Sequence, residues 1–526
     1  MLKIDRRTLL VGSAAAMIPF GVRAQSESTK SLRIASAVAL RQLDPFTTTS
    51  TSTRNHAYMV YDTLFAVDSQ YRPQPQMVDH WTVSDDKLAY TFKLREGLAF
   101  HDGTPVTAAD CIASISRWGR RDVSGIRLLA SVKEMAAPDT KTFRIELKSP
   151  FGILIDSFAK PSTLPLFIMP KRLADTPIEK DITDPTGSGP FIFDRDSFVP
   201  GVRTVYLRNK AYVPRSEKAD NLAGGKIVKV DRVECQFFPD FQTSVNALKK
   251  GEIDVIEYLN GDQKTLFDGA SNLKLAQRQG ANAPVMRFNW QQHPFSDVRM
   301  RRAVQLAVTQ RDYMDAMIGD PKAYEICGAL FGCGTQLASD RGVVGTGDAN
   351  LDKAKALVKE AGYAGEKIVI FTVGDLPIYQ GIAPLTQQIL RSIGLNAEIQ
   401  VMDYTTYLSR RNSQAPVSDG GWSVAFAIWQ TVDLLNPISN LNVDARGKIA
   451  YAGWPDDPET ERLKDQYVQA PGIDQQREIA ATIQQRSYDQ VYYIPLGTFF
   501  NYSAYLNNVT NYLSGAVPVY WSVEKA

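Results

Sequence analysis

Residues 382–401 read IAPLTQQILRSIGLNAEIQV. The apolar residues of the first part recur at helical spacing: Ile382, Leu385, Ile389 and Ile393. Gly394 then stands in a helix-stop position, and residues 397–401 have the pattern of a strand. Residues 354–373 repeat this order of helix, glycine and strand. Such alternation predicts a parallel sheet in the block from about 281 to 495.

Residues 58–186 show a different pattern, in which apolar and polar residues alternate along two short stretches. The inward residues of these half-buried antiparallel strands are Tyr90, Phe92 and Leu94 in the first, and Phe143, Ile145 and Leu147 in the second. A helix through residues 107–118 lies between them. We therefore expect an α+β unit here, with natural hinges at the Pro/Gly-rich stretches 184–190 and 280–284.

The whole chain has the composition of a soluble globular protein. Its 526 residues are 44% apolar and 22% charged, which disfavours intrinsic disorder, collagen and coiled coil. At about 150 residues per domain, the length corresponds to about three domains. The net charge of +2 shows no basic excess of the kind that supplies nucleic-acid affinity, so a nucleic-acid partner is not expected.

The first residues have the features of an export signal. Three basic residues, Lys3, Arg6 and Arg7, precede an Ala/Gly-rich apolar run over 9–22. The run is too short for a permanent span, and no later stretch approaches the ~18 to 20 apolar residues that a span needs. Residues 1–24 are predicted to be a signal peptide. The arginine pair favours the twin-arginine route over general secretion, and the mature chain is expected in the periplasm.

The four cysteines fall into two kinds. Cys327 and Cys333 flank a Gly-rich loop short enough to be closed by a disulfide, the alternative being two free loop thiols. None of the four histidines lies near them in sequence, so a metal site is not expected there. Cys111 and Cys235 lie within a helical and a strand-like pattern and are expected to be buried small hydrophobes.

Common catalytic motifs are missing from the sequence. It has no G-x-S-x-G elbow, no H-E-x-x-H, no phosphate loop and no G-x-G-x-x-G turn. Residues 348–352 resemble the start of a calcium loop, but Lys353 and Lys359 stand where that loop needs Gly and Glu. Asp102 next to His101 is more typical of a turn than of a catalytic pair. We therefore expect no enzyme activity, no cofactor and no metal.

Six short motifs occur in a fixed order along the chain. They are Phe100–Asp110 (FHDGTPVTAAD), Gly187–Phe191 (GSGPF), Asn209–Tyr212 (NKAY), Gly251–Asp254 (GEID), Val298–Val304 (VRMRRAV) and Ala354–Tyr363 (AKALVKEAGY). Together they resemble the family 5 extracellular solute-binding proteins, the peptide and nickel receptors of ABC importers. The resemblance covers essentially the whole mature chain.

This resemblance implies an α/β fold of the type II periplasmic-binding-protein class, with two lobes, an additional domain and a ligand cleft between the lobes. Domain I would combine residues 31–57, 187–280 and 496–526. Domain II would span 58–186 and domain III would span 281–495. The ligand would be enclosed where domains I and III close together.

The segment 421–437, GWSVAFAIWQTVDLLNP, suits a wall of such a cleft, because it runs apolar with two tryptophans and then turns at an acid and Asn-Pro. Trp429 and Trp422 are candidate walls, with ordinary core packing as the alternative. In peptide-binding relatives a carboxylate in a W…D…P stretch pairs with the ligand's α-ammonium. The resemblance places Asp433 there, with turn capping as the alternative. Asn436 is a further candidate.

Two features depart from the peptide receptors. Three residues, 430–432, separate Trp429 from the acid, where the compared receptors have two. Dipeptide-type relatives carry an arginine for the ligand carboxylate between a late strand and the next helix, where this chain has GDLPIY at 374–379. Three other arginines are candidates for this role, although each is expected on the solvated surface: Arg41, Arg410 and Arg411. A longer peptide, an opine-like amino-acid conjugate and another amine-bearing metabolite stay open as ligands.

The sequence therefore predicts a monomeric periplasmic receptor that closes around a peptide or other small-molecule ligand. Its partners would be the inner-membrane permease of an ABC importer and the cytoplasmic ATP-binding subunits. Two other functions stay open. A metal-chelate receptor would need a histidine in the cleft, and a periplasmic hydrolase would need a Ser, Cys or acid paired with His56, His101 or His293 inside one cleft.

Overall fold

The structure, a computed structural model, describes residues 30–526. The predicted signal peptide, residues 1–24, lies outside the described residues. Within residues 30–526, no helix combines the length and the apolar character needed to cross a membrane.

The first part of the chain contributes one strand and one helix and then forms a four-stranded antiparallel sheet, ordered β5-β6-β8-β7. The predicted alternation is visible in its register, where Phe92 faces Phe143 with ring centres 4.8 Å apart. Helix α2 begins at a capping box between Thr107 and Asp110. The elements are β1 (Ser31–Ser36), α1 (Thr51–Val60), β2 (Asp62–Thr63), β3 (Phe65–Val67), β4 (Pro73–Pro75), β5 (Val78–Val83), β6 (Ala89–Leu94), α2 (Ala108–Trp118), α3 (Val123–Ser131), β7 (Val132–Ala136), β8 (Thr142–Leu147), α4 (Leu154–Ala159), β9 (Phe167–Ile168) and α5 (Lys171–Ala174).

The middle of the chain returns to β1 and builds one half of a large sheet on it. β1 pairs in parallel with two strands from this part, β12 and β13, and β12 continues antiparallel to β11 and then β10. The elements are β10 (Phe191–Phe193), β11 (Arg203–Arg208), β12 (Arg232–Phe237), α6 (Phe241–Lys249), β13 (Val255–Leu259) and β14 (Leu273–Phe288).

The last part of the chain contains the predicted parallel strands. β16 pairs in parallel with both β17 and β18, and α9 begins at Asn350, whose side chain accepts from the backbone N–H of Lys353. The stretch that resembled a calcium loop is thus a helix cap. The elements are α7 (Val298–Ala307), α8 (Gln310–Met317), β15 (Tyr324–Glu325), α9 (Leu351–Glu360), β16 (Ile368–Val373), α10 (Ile382–Ser392), β17 (Ala397–Met402), α11 (Tyr404–Arg411), β18 (Val424–Gln430), α12 (Pro458–Gln469), α13 (Ile473–Gln490), β19 (Tyr493–Pro495), β20 (Thr498–Leu506), β21 (Val509–Thr510) and β22 (Glu524–Lys525).

Strand β14 joins the two halves of the molecule into one 12-stranded sheet. Ten strands follow the order β10-β11-β12-β1-β13-β20-β14-β18-β16-β17, while β15 pairs with β20 and β19 pairs with β14. Its first half pairs with β20 and its second half with β18. The β20 register shifts between Gln277 and Ala281. Gly280 lies in this shift at φ +84°, and a Cβ there would come within 2.8 Å of Ala516 Cβ, so glycine is required. The predicted hinge stretch 280–284 therefore lies on the strand that connects the lobes.

The other predicted hinge stretch, 184–190, is held tightly in the structure. The backbone N–H of Gly189 donates to the carbonyl of Val60 at 2.8 Å. A Cβ on Gly187 would lie 2.0 Å from that same oxygen. These glycines allow close packing against the end of α1, and the hinge role of 184–190, like that of 280–284, stays a prediction.

The two lobes are in contact on the side of the α+β unit. The backbone N–H of Gly152 donates to the carbonyl of Val468 on α12 at 2.6 Å. Arg127 on α3 forms a 2.5 Å ion pair with Asp465 on the same helix. The helices α12 and α13 share one buried apolar cluster with the α+β unit, whereas a second cluster lies around β16, β17 and β18. The α+β unit and helix α12 are therefore packed against each other.

Candidate functional site

Three parallel strands end at one edge of the sheet, and each is followed by a polar or aromatic segment. β16 is followed by residues 374–381, β17 by α11, and β18 by a short 3₁₀ helix, Thr431–Asp433. Carboxyl ends of parallel strands form the usual crevice for ligands in α/β sheets, because the loops there carry side chains free of sheet pairing. This edge is therefore where the site is expected.

The 3₁₀ helix borders two cavities. One, of about 10 Å³, lies beside β14 and is lined by Gln430 and Thr431 from one lobe and Tyr258, Arg278 and Ala516 from the other. The second, of about 70 Å³, is lined by Lys160 and Pro161 of the α+β unit and by Leu435 and Asn436. Val432 lines both cavities. Both volumes are smaller than a typical small-ligand site, so the cleft must open to admit a ligand.

Asp433 is half-buried at the end of this 3₁₀ helix. Its Oδ1 accepts a 2.7 Å hydrogen bond from the hydroxyl of Thr163, in the α+β unit. Among residues 30–526, no backbone N–H of the following turn donates to its carboxylate, and no basic side chain lies within ion-pair distance. The turn-capping alternative is therefore not what the structure shows, and the carboxylate keeps acceptor capacity.

The Thr163 side of this contact has an unusual backbone. Thr163 and the next residue, Leu164, both have left-handed φ values, +50° and +63°. Each such residue costs roughly 1 kcal/mol or more, and consecutive ones persist only when the surroundings enforce them. The surrounding structure therefore fixes this segment, from which the hydroxyl of Thr163 contacts the other lobe.

A buried arginine makes a second contact between the lobes. Arg54 on α1 is 6% exposed. Its Nη1 donates to Oε1 of Gln430 at 2.8 Å and to Oγ of Ser162 at 2.7 Å. Gln430 is the last residue of β18, so Arg54 ties that strand end to the opposing lobe, three residues before Asp433.

Trp429 is half-buried near the end of β18, opposite Ala283 of β14. Its ring meets Tyr451 edge-on, with ring centres 5.4 Å apart. The indole Nε1 is buried and has no hydrogen-bond partner within the described part of the chain. A partly covered indole with a free donor suits a wall that a ligand completes.

The other two residues of this segment have different surroundings. Trp422 is 0% exposed, its Nε1 donates to the carbonyl of Arg411 at 2.9 Å, and its ring packs against Trp454. This is the core-packing alternative, so we exclude Trp422 from the proposed site. Asn436 lines the larger cavity, but its Oδ1 accepts from the backbone N–H groups of Ile438 and Ser439, so its main contacts stabilise a turn.

The three candidate arginines lie in three different environments. Arg41 is exposed on a groove it shares with Asp181 and Phe198, as a solvated side chain would be. Arg410 stacks over Phe371 and donates to the carbonyl of Gly420 at 2.7 Å. Arg411 is only 8% exposed. The expectation of a solvated position was therefore wrong for Arg411.

Cys327 and Cys333 are joined in a disulfide. The loop they close packs on the site, because a Cβ on Gly332 would lie 2.8 Å from Cγ2 of Thr431. Gln310 anchors the loop through both backbone atoms of Cys327. Of the remaining cysteines, Cys111 is fully buried as expected, whereas Cys235 is only half-buried, where it lines a cavity beside β1.

The histidines offer neither a metal site nor a nucleophile pair. His56 is buried with its Nδ1 3.1 Å from the hydroxyl of Tyr206, and burial lowers its pKa to about 3. His101 contacts the backbone of Gly187 and Gly189. His293 pairs with Glu366 at 3.0 Å on the exposed surface. In residues 30–526 no group of three or more His, Cys, Asp or Glu side chains could hold a metal ion.

Three residues of this site were not found by the sequence analysis: Arg54, Thr163 and Tyr451. They are ordinary residues of helices and loops. Their roles depend on segments that are distant in sequence.

Comparisons with known proteins concern the whole chain. The model of the bacterial extracellular solute-binding proteins, family 5, matches residues 72–451. The probable peptide ABC transporter periplasmic-binding protein y4tO of Sinorhizobium fredii (strain NGR234) is 38% identical over 538 aligned positions, covering 99% of this chain and 100% of that one.

Two solved structures share the fold. The ABC transporter substrate-binding protein CtaP from Listeria monocytogenes superposes with a TM-score of 0.79 at 19% identity, covering 94% of this chain and 99% of that one. The periplasmic binding protein DppA from Helicobacter pylori, in complex with the peptide STSA, gives 0.76 at 22% identity, covering 94% and 98%. The predicted two-lobed fold of the type II class is confirmed.

Proposed function

Because this chain belongs to the bacterial extracellular solute-binding proteins of family 5, we propose that it captures peptides in the periplasm for an ABC importer. A solute-binding protein is not an enzyme, which agrees with the catalytic motifs that the sequence lacks. The observation that carries the peptide proposal is the carboxylate of Asp433. Its neighbour Val432 lines both cavities, and the carboxylate contacts Thr163 of the α+β unit, with one hydroxyl donor and no basic partner among residues 30–526.

A carboxylate in this position recognises an ammonium group. A ligand α-ammonium brings three N–H donors and a positive charge into a cleft from which closure excludes water. A charge-assisted hydrogen bond of this kind contributes on the order of 1.5–3 kcal/mol. The 38% identity to a probable peptide-binding relative, over the full length of both chains, supports a peptide as the source of that ammonium.

Closure supplies capture without covalent chemistry. Two contacts join the lobes in this structure, Arg54 with Gln430 and Thr163 with Asp433, and opening of the cleft would break them. A ligand that binds both lobes adds to these contacts and shifts the population toward the closed state. Motion about residues 280–284 of β14 opens the cleft. The closed monomer then presents both lobes to the permease, and the ATP-binding subunits supply the energy for transport.

The other proposed solutes differ in what they require from the site. A metal chelate would need a histidine in the cleft, but none of the histidines lines either cavity beside Asp433. An opine-like conjugate carries both an amine and additional acidic groups. It shares the ammonium with a peptide, so the same assay compares the two.

Native mass spectrometry of gently purified protein tests the proposal directly. A peptide receptor should carry bound peptides of defined mass, which are released when the protein is unfolded. Added short peptides should raise its melting temperature by mass action. Small-angle scattering should show the shape becoming more compact. A peptide panel without any thermal response, alongside a response to a non-peptide metabolite, would reject the peptide assignment and retain the receptor.

A further inference from the structure

Asp156 is a carboxylate without a counter-charge in the larger of the two cavities beside Asp433. It lies on α4 of the α+β unit and lines that cavity together with residues of both lobes. Burial raises the pKa of its carboxyl, and among the described residues only its own backbone N–H opposes this effect. No Lys, Arg or His of residues 30–526 forms an ion pair with it.

The accessible surface of Asp156 faces the cavity. Three of its neighbours on α4 are buried, Leu154, Ser157 and Phe158, whereas Asp156 itself remains accessible. Its surroundings are nevertheless packed closely enough for burial to raise the pKa of its carboxyl. Accessible surface within packed surroundings is what a residue on the wall of an internal space shows, and Asp156 lines such a space.

The one cation that lines the same cavity, within the described part of the chain, is already paired. Lys160 is 6% exposed, and its Nζ donates to Oδ2 of Asp122, which is 1% exposed. The other carboxylate oxygen of Asp122 caps α3 by accepting from the backbone N–H groups of Ser124 and Gly125. Moving Lys160 to Asp156 would leave Asp122 buried without its counter-charge, so the charge of Lys160 is not available to Asp156.

The other walls of the cavity suit a long side chain with a charged end. Its volume of about 70 Å³ gives room for several water molecules or for the end of one extended side chain. Two tyrosines, Tyr71 and Tyr467, line it beside Asp156, and aromatic rings attract cations. Apolar residues of both lobes complete the lining: Pro161, Leu337, Val432 and Leu435.

The cavity adjoins the proposed ammonium site on both lobes. Val432, which lines the cavity, directly precedes Asp433 in the chain. Pro161, on the opposite wall, is two residues before Thr163, whose hydroxyl donates to Asp433. A peptide held at Asp433 by its ammonium group therefore has a side-chain cavity next to it.

We infer that this cavity is a side-chain subsite for a basic residue of the ligand, with Asp156 as the acid that determines its specificity. A lysine or arginine side chain supplies the counter-charge that Asp156 lacks, and its hydrocarbon stem lies along the apolar walls. A neutral side chain would cover the carboxylate without pairing it, and an acidic one would add repulsion. This inference rests on the proposed function and narrows its substrates to peptides that carry a basic residue.

Calorimetry with three pairs of tripeptides tests the preference for a basic side chain. Each pair compares lysine with norleucine, which keeps the four-carbon stem and lacks the ammonium, at the first, second or third position of Ala-Ala-Ala. We expect wild type to bind the lysine peptide at least tenfold more tightly at one position, which identifies the residue that enters the cavity. Equal affinity within all three pairs would overturn the inference, whether or not any variant folds.

Asp156→Asn is the decisive variant, because asparagine keeps the shape of the side chain and removes its charge. Burial already favours the neutral carboxyl, so the variant should fold. It should bind the lysine and norleucine peptides equally. Asp85→Asn is the matched control, at an exposed position between β5 and β6, and it should prefer lysine as wild type does. A lysine preference that Asp156→Asn retains in full would place the basic side chain elsewhere and overturn the inference.

A test without peptides keeps this subsite separate from the proposed function. It uses Asp433→Asn, which removes the proposed ammonium site. n-Butylammonium at tens of millimolar should raise the melting temperature of Asp433→Asn, while n-butanol should not, and Asp433→Asn combined with Asp156→Asn should respond to neither. If n-butylammonium stabilises Asp433→Asn but no peptide binds wild type, the subsite stands and the peptide function fails. If n-butylammonium and n-butanol act alike on Asp433→Asn, the subsite is overturned whatever the peptides do.

Discussion

The hydroxyl of Thr163 donates a 2.7 Å hydrogen bond to Oδ1 of Asp433, although the two residues are 270 positions apart in the chain. Thr163 belongs to the α+β unit and Asp433 to the opposing lobe. The backbone is left-handed at both Thr163 and Leu164. The contact between the lobes therefore includes the carboxylate that we propose as the ammonium site.

Replacing Asp433 by asparagine should weaken an amine-bearing ligand by ~2–5 kcal/mol, because it leaves the ligand ammonium desolvated without its counter-charge. Calorimetry with a bound peptide measures the loss. Asp419→Asn, which alters an exposed carboxylate in the preceding 3₁₀ turn, should bind as wild type does.

The same peptide with an acetylated amine completes a double-mutant cycle. Acetylation should weaken binding to wild type strongly and to Asp433→Asn hardly at all, since the two changes remove the two halves of one interaction. Equal losses in both proteins would show that the amine is held elsewhere.

Substitutions of the two tryptophans in the 421–437 segment should affect different properties, ligand binding for Trp429 and protein stability for Trp422. Trp429→Ala should weaken all ligands by about 1–3 kcal/mol, because it removes apolar contact area without regard to their charge. Trp422→Ala should instead lower the free energy of unfolding by about 3–5 kcal/mol, since that ring is 0% exposed. Chemical denaturation and calorimetry on both variants measure the difference. A stability loss as large for Trp429→Ala would place its ring in the core.

His56 should make the protein less stable in mild acid. Burial lowers its pKa in the folded state to about 3, whereas the unfolded chain takes up the proton near pH 6.5. Because the folded state disfavours the protonated imidazole, the stabilising contribution of neutral His56 is present above pH 6.5. This contribution declines as the pH falls toward 3. The loss between pH 6.5 and pH 5 should be about 1.5–2 kcal/mol.

His56→Asn removes this titration and keeps a polar atom near the hydroxyl of Tyr206. Its free energy of unfolding should change less between pH 6.5 and pH 5 than that of wild type. His80→Asn, at an exposed position on β5, serves as the control. Parallel curves for wild type and His56→Asn would contradict the buried neutral state.

The disulfide should stabilise the loop that supports the 3₁₀ helix. For a sequence separation of 6, chain entropy gives a stabilisation of about 2 kcal/mol. Changing Cys327 and Cys333 to serine, or adding dithiothreitol to wild type, should lower stability by that amount and weaken ligand binding through the contact of Gly332 with Thr431. Dithiothreitol should not affect the serine variant. A wild-type melting curve insensitive to reductant would exclude this role.

The predicted twin-arginine signal has a direct test in cells. Arg6→Lys together with Arg7→Lys should leave the precursor in the cytoplasm, because the pair precedes only a weakly hydrophobic segment. Fractionation and immunoblotting measure the distribution. Normal export of the double variant would assign the chain to general secretion.

Local pattern was enough to predict much of the fold. The alternation around Phe92 and Phe143 gave two antiparallel neighbours, and the helix–glycine–strand order gave the parallel pair β16 and β17. These predictions succeeded because periodicity reports which face of an element is covered. It does not report what covers it. The boundaries of the three domains, drawn from the resemblance, stay a prediction.

The sequence by itself determined the elements, the family and the segment that borders the site, since each depends on residues that are neighbours in the sequence. Tertiary structure alone decided what each side chain there does. Trp422 and Trp429 lie seven positions apart in one apolar run, yet Trp454 and the Arg411 carbonyl cover the first, while Tyr451 leaves the indole N–H of the second unpaired. Arg411 has the sequence surroundings of a solvated residue and is buried, because Tyr451, 40 positions later, packs over it. Burial and pairing depend on segments that only the fold brings together.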